Sequence, residues 1–139
     1  METADRLIGD LPGRTRTISV PGPPKSECPA CTDEYRHFGP YRLHVTVNFK
    51  DGQPFEVFAA YSPPGPEGQR GTLNAACRLA SRLLQTGAGI AEVVKMMRGQ
   101  ADGWPPVRLR GGEKIVSAAD GIARVLQDVG NASAWTRRT

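Results

Sequence analysis

Tyr41-Arg-Leu-His-Val-Thr-Val-Asn-Phe49, followed by Lys50-Asp-Gly-Gln-Pro-Phe-Glu-Val-Phe-Ala-Ala60, decides how the rest of the chain is read. Leu43, Val45, Val47 and Phe49 alternate with Arg42, His44, Thr46 and Asn48, the period of a strand with one dry and one wet face. Asp51-Gly52 supplies a turn, and Phe55, Val57, Ala59 and Tyr61 resume the alternation. The stretch predicts a β-hairpin over about 41–61.

Upstream, Arg14-Thr-Arg-Thr-Ile-Ser-Val20 has the β-branched content of a first strand, and Pro21-Gly-Pro-Pro24 ends it by removing backbone donors. A cysteine-containing loop at 25–40 leads into the hairpin. Downstream, Ser62 to Gly71 reads as a loop, and Thr72 as the N-cap of a helix over about 72–86. Leu73, Ala76, Cys77, Ala80, Leu83 and Leu84 form its apolar stripe, and Gly87 ends it. Ile90, Val93, Val94 and Met97 predict a second helix over about 89–98, stopped by Gly99. Residues 100–112 read as a loop, with Trp104-Pro-Pro106 and Gly111-Gly112 as breakers. Ser117 caps a third helix over about 117–129, with Asp120 at the third helical position. Residues 1–13 and 130–139 are expected to be flexible ends around a single domain at 14–129. Strands first and helices later predict an α+β fold, an antiparallel sheet built on the hairpin with three helices on one face.

A chain of 139 residues can bury a core without disulfides or metal. Its net charge of +4 permits acidic or phosphate partners without requiring them. Four of the 18 basic residues are Lys and the rest Arg, a balance that suits bidentate anion contacts and equally follows from codon usage. The N-terminal Met1 to Asp5 is acidic and polar, and no apolar run approaches the about 20 residues that span a bilayer. A cytoplasmic location without membrane contact is expected, where the three cysteines are thiols or metal ligands.

Cys28-Pro-Ala-Cys31 has metal-site spacing, and His37 is near enough in sequence to be a third zinc ligand. The pair is half a site, so zinc, a dithiol redox pair and a plain loop all stand as readings; a second chain could complete the ligand set. Gly68-Gln-Arg-Gly-Thr72 precedes a helix, where Arg70, Gly71 and Thr72 could contact a phosphate or merely turn the chain. Arg14, Arg16, Arg42, Arg108 and Arg110 could share a basic face for nucleotides or nucleic acid, though a solvated sheet surface explains them as well. The few aromatics disfavour nucleic acid. Cys77 reads as a buried inert thiol and His44 as a surface strand residue. An open sheet edge would allow a homodimer. No Ser/His/Asp set, carboxylate pair with motif spacing or Walker loop is present.

Several pieces occur in a familiar order: Leu11-Pro-Gly-Arg-Thr15, Val45-Thr-Val-Asn48, Gly52-Gln-Pro-Phe-Glu-Val-Phe58, Gly71-Thr-Leu-Asn-Ala75, Met97-Arg-Gly99 and Ser117-Ala-Ala-Asp-Gly-Ile-Ala-Arg124. The series, over about residues 11–129, resembles the TSCPD domain found at the C-terminal end of cobalamin-dependent (class II) ribonucleotide reductases and as a short stand-alone protein. The chain departs from that family where Thr-Ser-Cys-Pro-Asp should open the last helix. It carries Val116-Ser-Ala-Ala-Asp120, with Ala118 for the cysteine and Ala119 for the proline. A second family cysteine is replaced within Gln100-Ala101. Thiol chemistry at those positions is therefore absent.

The resemblance implies an accessory or binding domain in deoxyribonucleotide synthesis, partnered with the large subunit of a ribonucleotide reductase and lacking a catalytic centre of its own. Any cobalamin would then be held by that partner. A small zinc-dependent interaction module and an Arg-face nucleotide or nucleic-acid binder are the alternatives.

Overall fold

A computed structural model describes residues 13–24, 40–62, 65–66 and 68–137, with side chains described as far as Gly130. Three strands, β1 (Gly13–Val20), β2 (Tyr41–Lys50) and β3 (Gln53–Tyr61), form an antiparallel sheet in the order β1-β2-β3. Three helices follow: α1 (Arg70–Gln85), α2 (Ile90–Met97) and α3 (Ala118–Arg137). Between α2 and α3 lies a two-stranded ribbon of β4 (Val107–Arg108) and β5 (Lys114–Ile115). The expected α+β architecture is present.

The hairpin forms as its alternation dictates. Lys50 pairs with Gln53 across a two-residue turn, in which Asp51 and Gly52 take φ of 53° and 77°. Two successive positive φ angles define the turn whose twist matches the strands it joins. Leu43, Val45, Val47 and Val57 are fully buried on the helix-bearing face, while Phe49 beside a register shift is half-buried. On the other face Thr15 and Thr46 share a 2.8 Å hydrogen bond, and Thr17 meets His44 at 2.8 Å.

The helices close over the dry face with their apolar stripes. α1 packs on β3, α3 crosses all three strands, and α2 is held chiefly against α3. Leu73, Cys77, Ala80 and Leu84 bury from α1, Val93 from α2, and Ile122, Val125, Leu126 and Val129 from α3. α1 ends at Gly87 as expected: the Ala88 N–H donates to the Leu83 carbonyl at 3.0 Å and the Gly87 N–H to the Leu84 carbonyl at 3.3 Å.

Three boundaries differ from the reading of the sequence. α1 begins at Arg70 rather than after Thr72, because the Leu73 N–H already donates to the Gln69 carbonyl at 3.0 Å. Thr72 is therefore inside the first turn and does not cap it. The stretch 100–112, read as a loop, contains β4 and the Gly111-Gly112 pair, taken as a breaker, which lies in the turn to β5. Strands of two residues are too short to show a period. Finally, α3 continues past Val129 to Arg137. A Cβ on Gly130 would lie 2.6 Å from Ile90 Cδ1, so the helix is still seated against α2 there.

At Gly121, α3 lies close against the sheet. A Cβ there would stand 2.6 Å from Val20 Cγ1 and 3.5 Å from Ile18 Cγ2, both buried core atoms. Gly121→Val is expected to destabilise the fold by about 2 kcal/mol through overpacking. Urea unfolding of the variant beside wild type measures this, and an unchanged midpoint would contradict the close packing described.

Candidate functional site

The segment that opens α3 occupies the place where the family motif was expected, and its polar groups converge. Ser117 Oγ accepts the Asp120 N–H at 3.0 Å, the N-cap interaction read from the sequence. Asp120 does more than complete a cap. Its Oδ2 accepts the Val116 N–H at 3.0 Å, while its Oδ1 accepts the Gly99 N–H at 2.9 Å and the Arg98 Nε at 2.8 Å. Asp120 is 2% exposed, so this carboxylate is a buried anion balanced by two amides, one guanidinium and the N-terminal dipole of α3. Both oxygens are engaged within the chain.

Around this carboxylate runs a second, more exposed tier. Glu113 accepts Arg98 Nη2 at 3.0 Å and Arg124 Nε at 2.9 Å, and Arg124 Nη1 donates to Asp128 at 2.5 Å. Burial raises the Glu113 pKa, but hydrogen bonds and charge from Arg98 and Arg124 outweigh it and hold it below the usual carboxylate value. The cluster pins the end of α2, the β4–β5 ribbon and α3 together.

A different arrangement lies between β3 and α1. Ser81 on α1 covers the free edge of β3: the Val57 N–H donates to Ser81 Oγ at 2.9 Å, and the hydroxyl donates to the Val57 carbonyl at 3.2 Å. The open sheet edge anticipated from the sequence is thus closed on this side. Above the contact is a groove of about 930 Å³, floored by Val57, Cys77 and Ser81. Its rim carries Arg78 and Arg82 from α1 and Phe58 from the outer face of β3. Cys77 is a buried thiol whose pKa is pushed up to about 11 by burial, a rise partly offset by a hydrogen bond to the Ala59 backbone. The inert thiol read from the apolar stripe matches this setting.

The other sequence-derived candidates fare differently. Cys28, Cys31 and His37 lie outside the described residues. Arg70, Gly71 and Thr72 form the first turn of α1, all three exposed. The arginines grouped as one basic face are split by the strand register. Arg14 and Arg16 pair with Val47 and Val45 and so sit on the helix-bearing side, whereas Arg42 shares the opposite side with His44. Charge along a sequence does not say which side of a pleat it falls on until the pairing is known. Sequence reading also missed the reach of Asp120 and the Arg78, Arg82 and Phe58 rim. The only signal for the latter was the i, i+4 spacing of the two arginines.

Comparison with known proteins agrees with the resemblance in part. The family model described as TSCPD domain matches residues 24–129, which leaves β1 outside the matched span. No curated protein and no solved structure matches the chain. No helix among the described residues is long and apolar enough to cross a membrane.

Two outcomes follow from the polar cluster. Asp120→Ala strands two amides and a guanidinium and is expected to cost about 3 kcal/mol, measured by urea unfolding. A loss under 1 kcal/mol would show that water replaces the carboxylate at no real cost. For Glu113, a folded pKa below the unfolded one means its stabilisation is complete above the unfolded value of 4.5 and fades as pH falls through the lowered folded value. The stability gap between wild type and Glu113→Gln should therefore be constant above that range and close below it; a gap that widens in acid would reverse the sign assigned here.

Proposed function

The chain belongs to the TSCPD domain family, and on that premise we propose that it is an accessory or binding domain acting with a ribonucleotide reductase in deoxyribonucleotide supply. The observation that carries the reading is the family match across residues 24–129, more than half of the chain. The fate of the family motif supports a binding rather than a chemical role. Ala118 and Ala119 bring no thiol to the start of α3, and both oxygens of Asp120 are committed to Gly99, Val116 and Arg98. What the motif retains is a device that fixes three elements in place. Radical-based reduction of a ribonucleotide needs a buried thiol and a redox dithiol in a large enclosed site, which a partner subunit would supply together with its cobalamin.

The test is co-purification of the full chain with the large subunit of a cobalamin-dependent reductase from the same source, combined with an assay of that enzyme's turnover. Stable association with a change in turnover is the expected result. Neither association nor any change in turnover would overturn the assignment, and so would ribonucleotide reduction by the isolated chain.

A further inference from the structure

We propose that the groove between β3 and α1 is a binding site for a small phosphorylated ligand carrying a planar ring, of the nucleoside diphosphate class. The inference does not rest on association with a reductase. It starts from α1, where Asn74, Arg78, Ser81, Arg82 and Gln85 recur at helical spacing and line one wall. The opposite wall is the outer face of the sheet at Asn48, Glu56 and Phe58.

Charge is the first reason. Arg78 and Arg82 are exposed, stand one helical turn apart, and make no ion pair among the described residues. Arg98 and Arg124, by contrast, are each tied to carboxylates. Side chains at this spacing have Cβ atoms about 6 Å apart, so both guanidiniums can fork onto one phosphate or onto adjacent phosphates. The one acid among the groove's lining residues, Glu56, is 7% exposed, accepts the Asn48 side-chain amide at 3.1 Å and forms no ion pair with either arginine.

Phe58 is the second reason. It is 52% exposed on a strand face that also carries Thr15, Thr17, Arg42, His44, Thr46, Asn48, Glu56 and Ala60. An aromatic ring left in water, beside two cations that form no ion pair, offers a stacking platform next to an anion clamp. The side-chain amides of Asn74 and Gln85 make no hydrogen bond among the described residues and can read the edge of a ring. The groove's volume of about 930 Å³ accommodates such a ligand. A long nucleic acid or an acidic protein would call for charge or apolar surface spread over a wider area. The groove itself offers two exposed arginines and one exposed ring.

Isothermal titration of the full chain tests this with four probes: adenosine diphosphate, adenosine, inorganic pyrophosphate and a Glu-rich peptide. Adenosine diphosphate should bind, more weakly as salt is raised, and better than pyrophosphate or adenosine. Arg78→Ala/Arg82→Ala should weaken it about tenfold or more, and Phe58→Ala should weaken the nucleotide but not pyrophosphate. Lys95→Ala, on α2 and outside the groove, should leave binding unchanged. All these side chains are exposed, and matching urea midpoints will verify folding; Arg78→Gln/Arg82→Gln replaces the alanine pair if its midpoint falls. No binding of adenosine diphosphate at millimolar concentration, or binding that survives loss of both arginines, would overturn the proposal. So would pyrophosphate binding as tightly as the nucleotide, or binding of the acidic peptide alone.

Discussion

One buried carboxylate sets the geometry of the helical layer. Asp120 receives the Gly99 amide just past the cap of α2, the amide that precedes the cap of α3, and the guanidinium of Arg98. Removing a carboxylate from water is costly, and the cost is offset only when each lone pair finds a donor. That requirement makes the arrangement specific. Gly99, Val116 and Arg98 can satisfy the same anion in very few relative positions, so α2, the β4–β5 ribbon and α3 are locked in register. The apolar stripes drive these pieces together, and the carboxylate decides how they meet.

A second constraint is the edge of β3. A strand edge must be paired, covered or made unattractive. Here a single hydroxyl, Ser81, answers both backbone groups of Val57 and anchors α1 alongside the strand. Because the helix lies at the edge rather than centrally over the sheet, one of its polar stripes faces the outer surface of β3. The groove with Arg78, Arg82 and Phe58 is a consequence of that offset. The same contact that protects the sheet from another strand therefore also lines the groove.

The altered family motif makes sense in this light. Ser117 and Asp120 are the positions that cap α3 and bind the neighbouring segments, and both are present. Ala118 and Ala119 fill the places of a thiol and a proline without disturbing a helix start, since neither position need donate a side-chain bond there. Structure and thiol chemistry are separable in this motif, and the chain has kept the first. Under the proposed binding role, surfaces rather than this motif would carry the function.

Local periodicity made the hairpin, its Asp51-Gly52 turn, the apolar stripes of all three helices and the Ser117 cap readable from the residues alone. Each of these depends on neighbours a few positions apart, and a period of two or of 3.6 is written directly in their order. The start of α1, the β4–β5 ribbon, the separation of Arg14 and Arg16 from Arg42, and the groove were not readable in this way. They depend on strand register and on where a helix settles against a sheet edge, both fixed by long-range packing. Asp120 marks the boundary between the two: its contact with Ser117 is local and was legible, while its bonds to Gly99 and Arg98 exist only because the folded chain returns there.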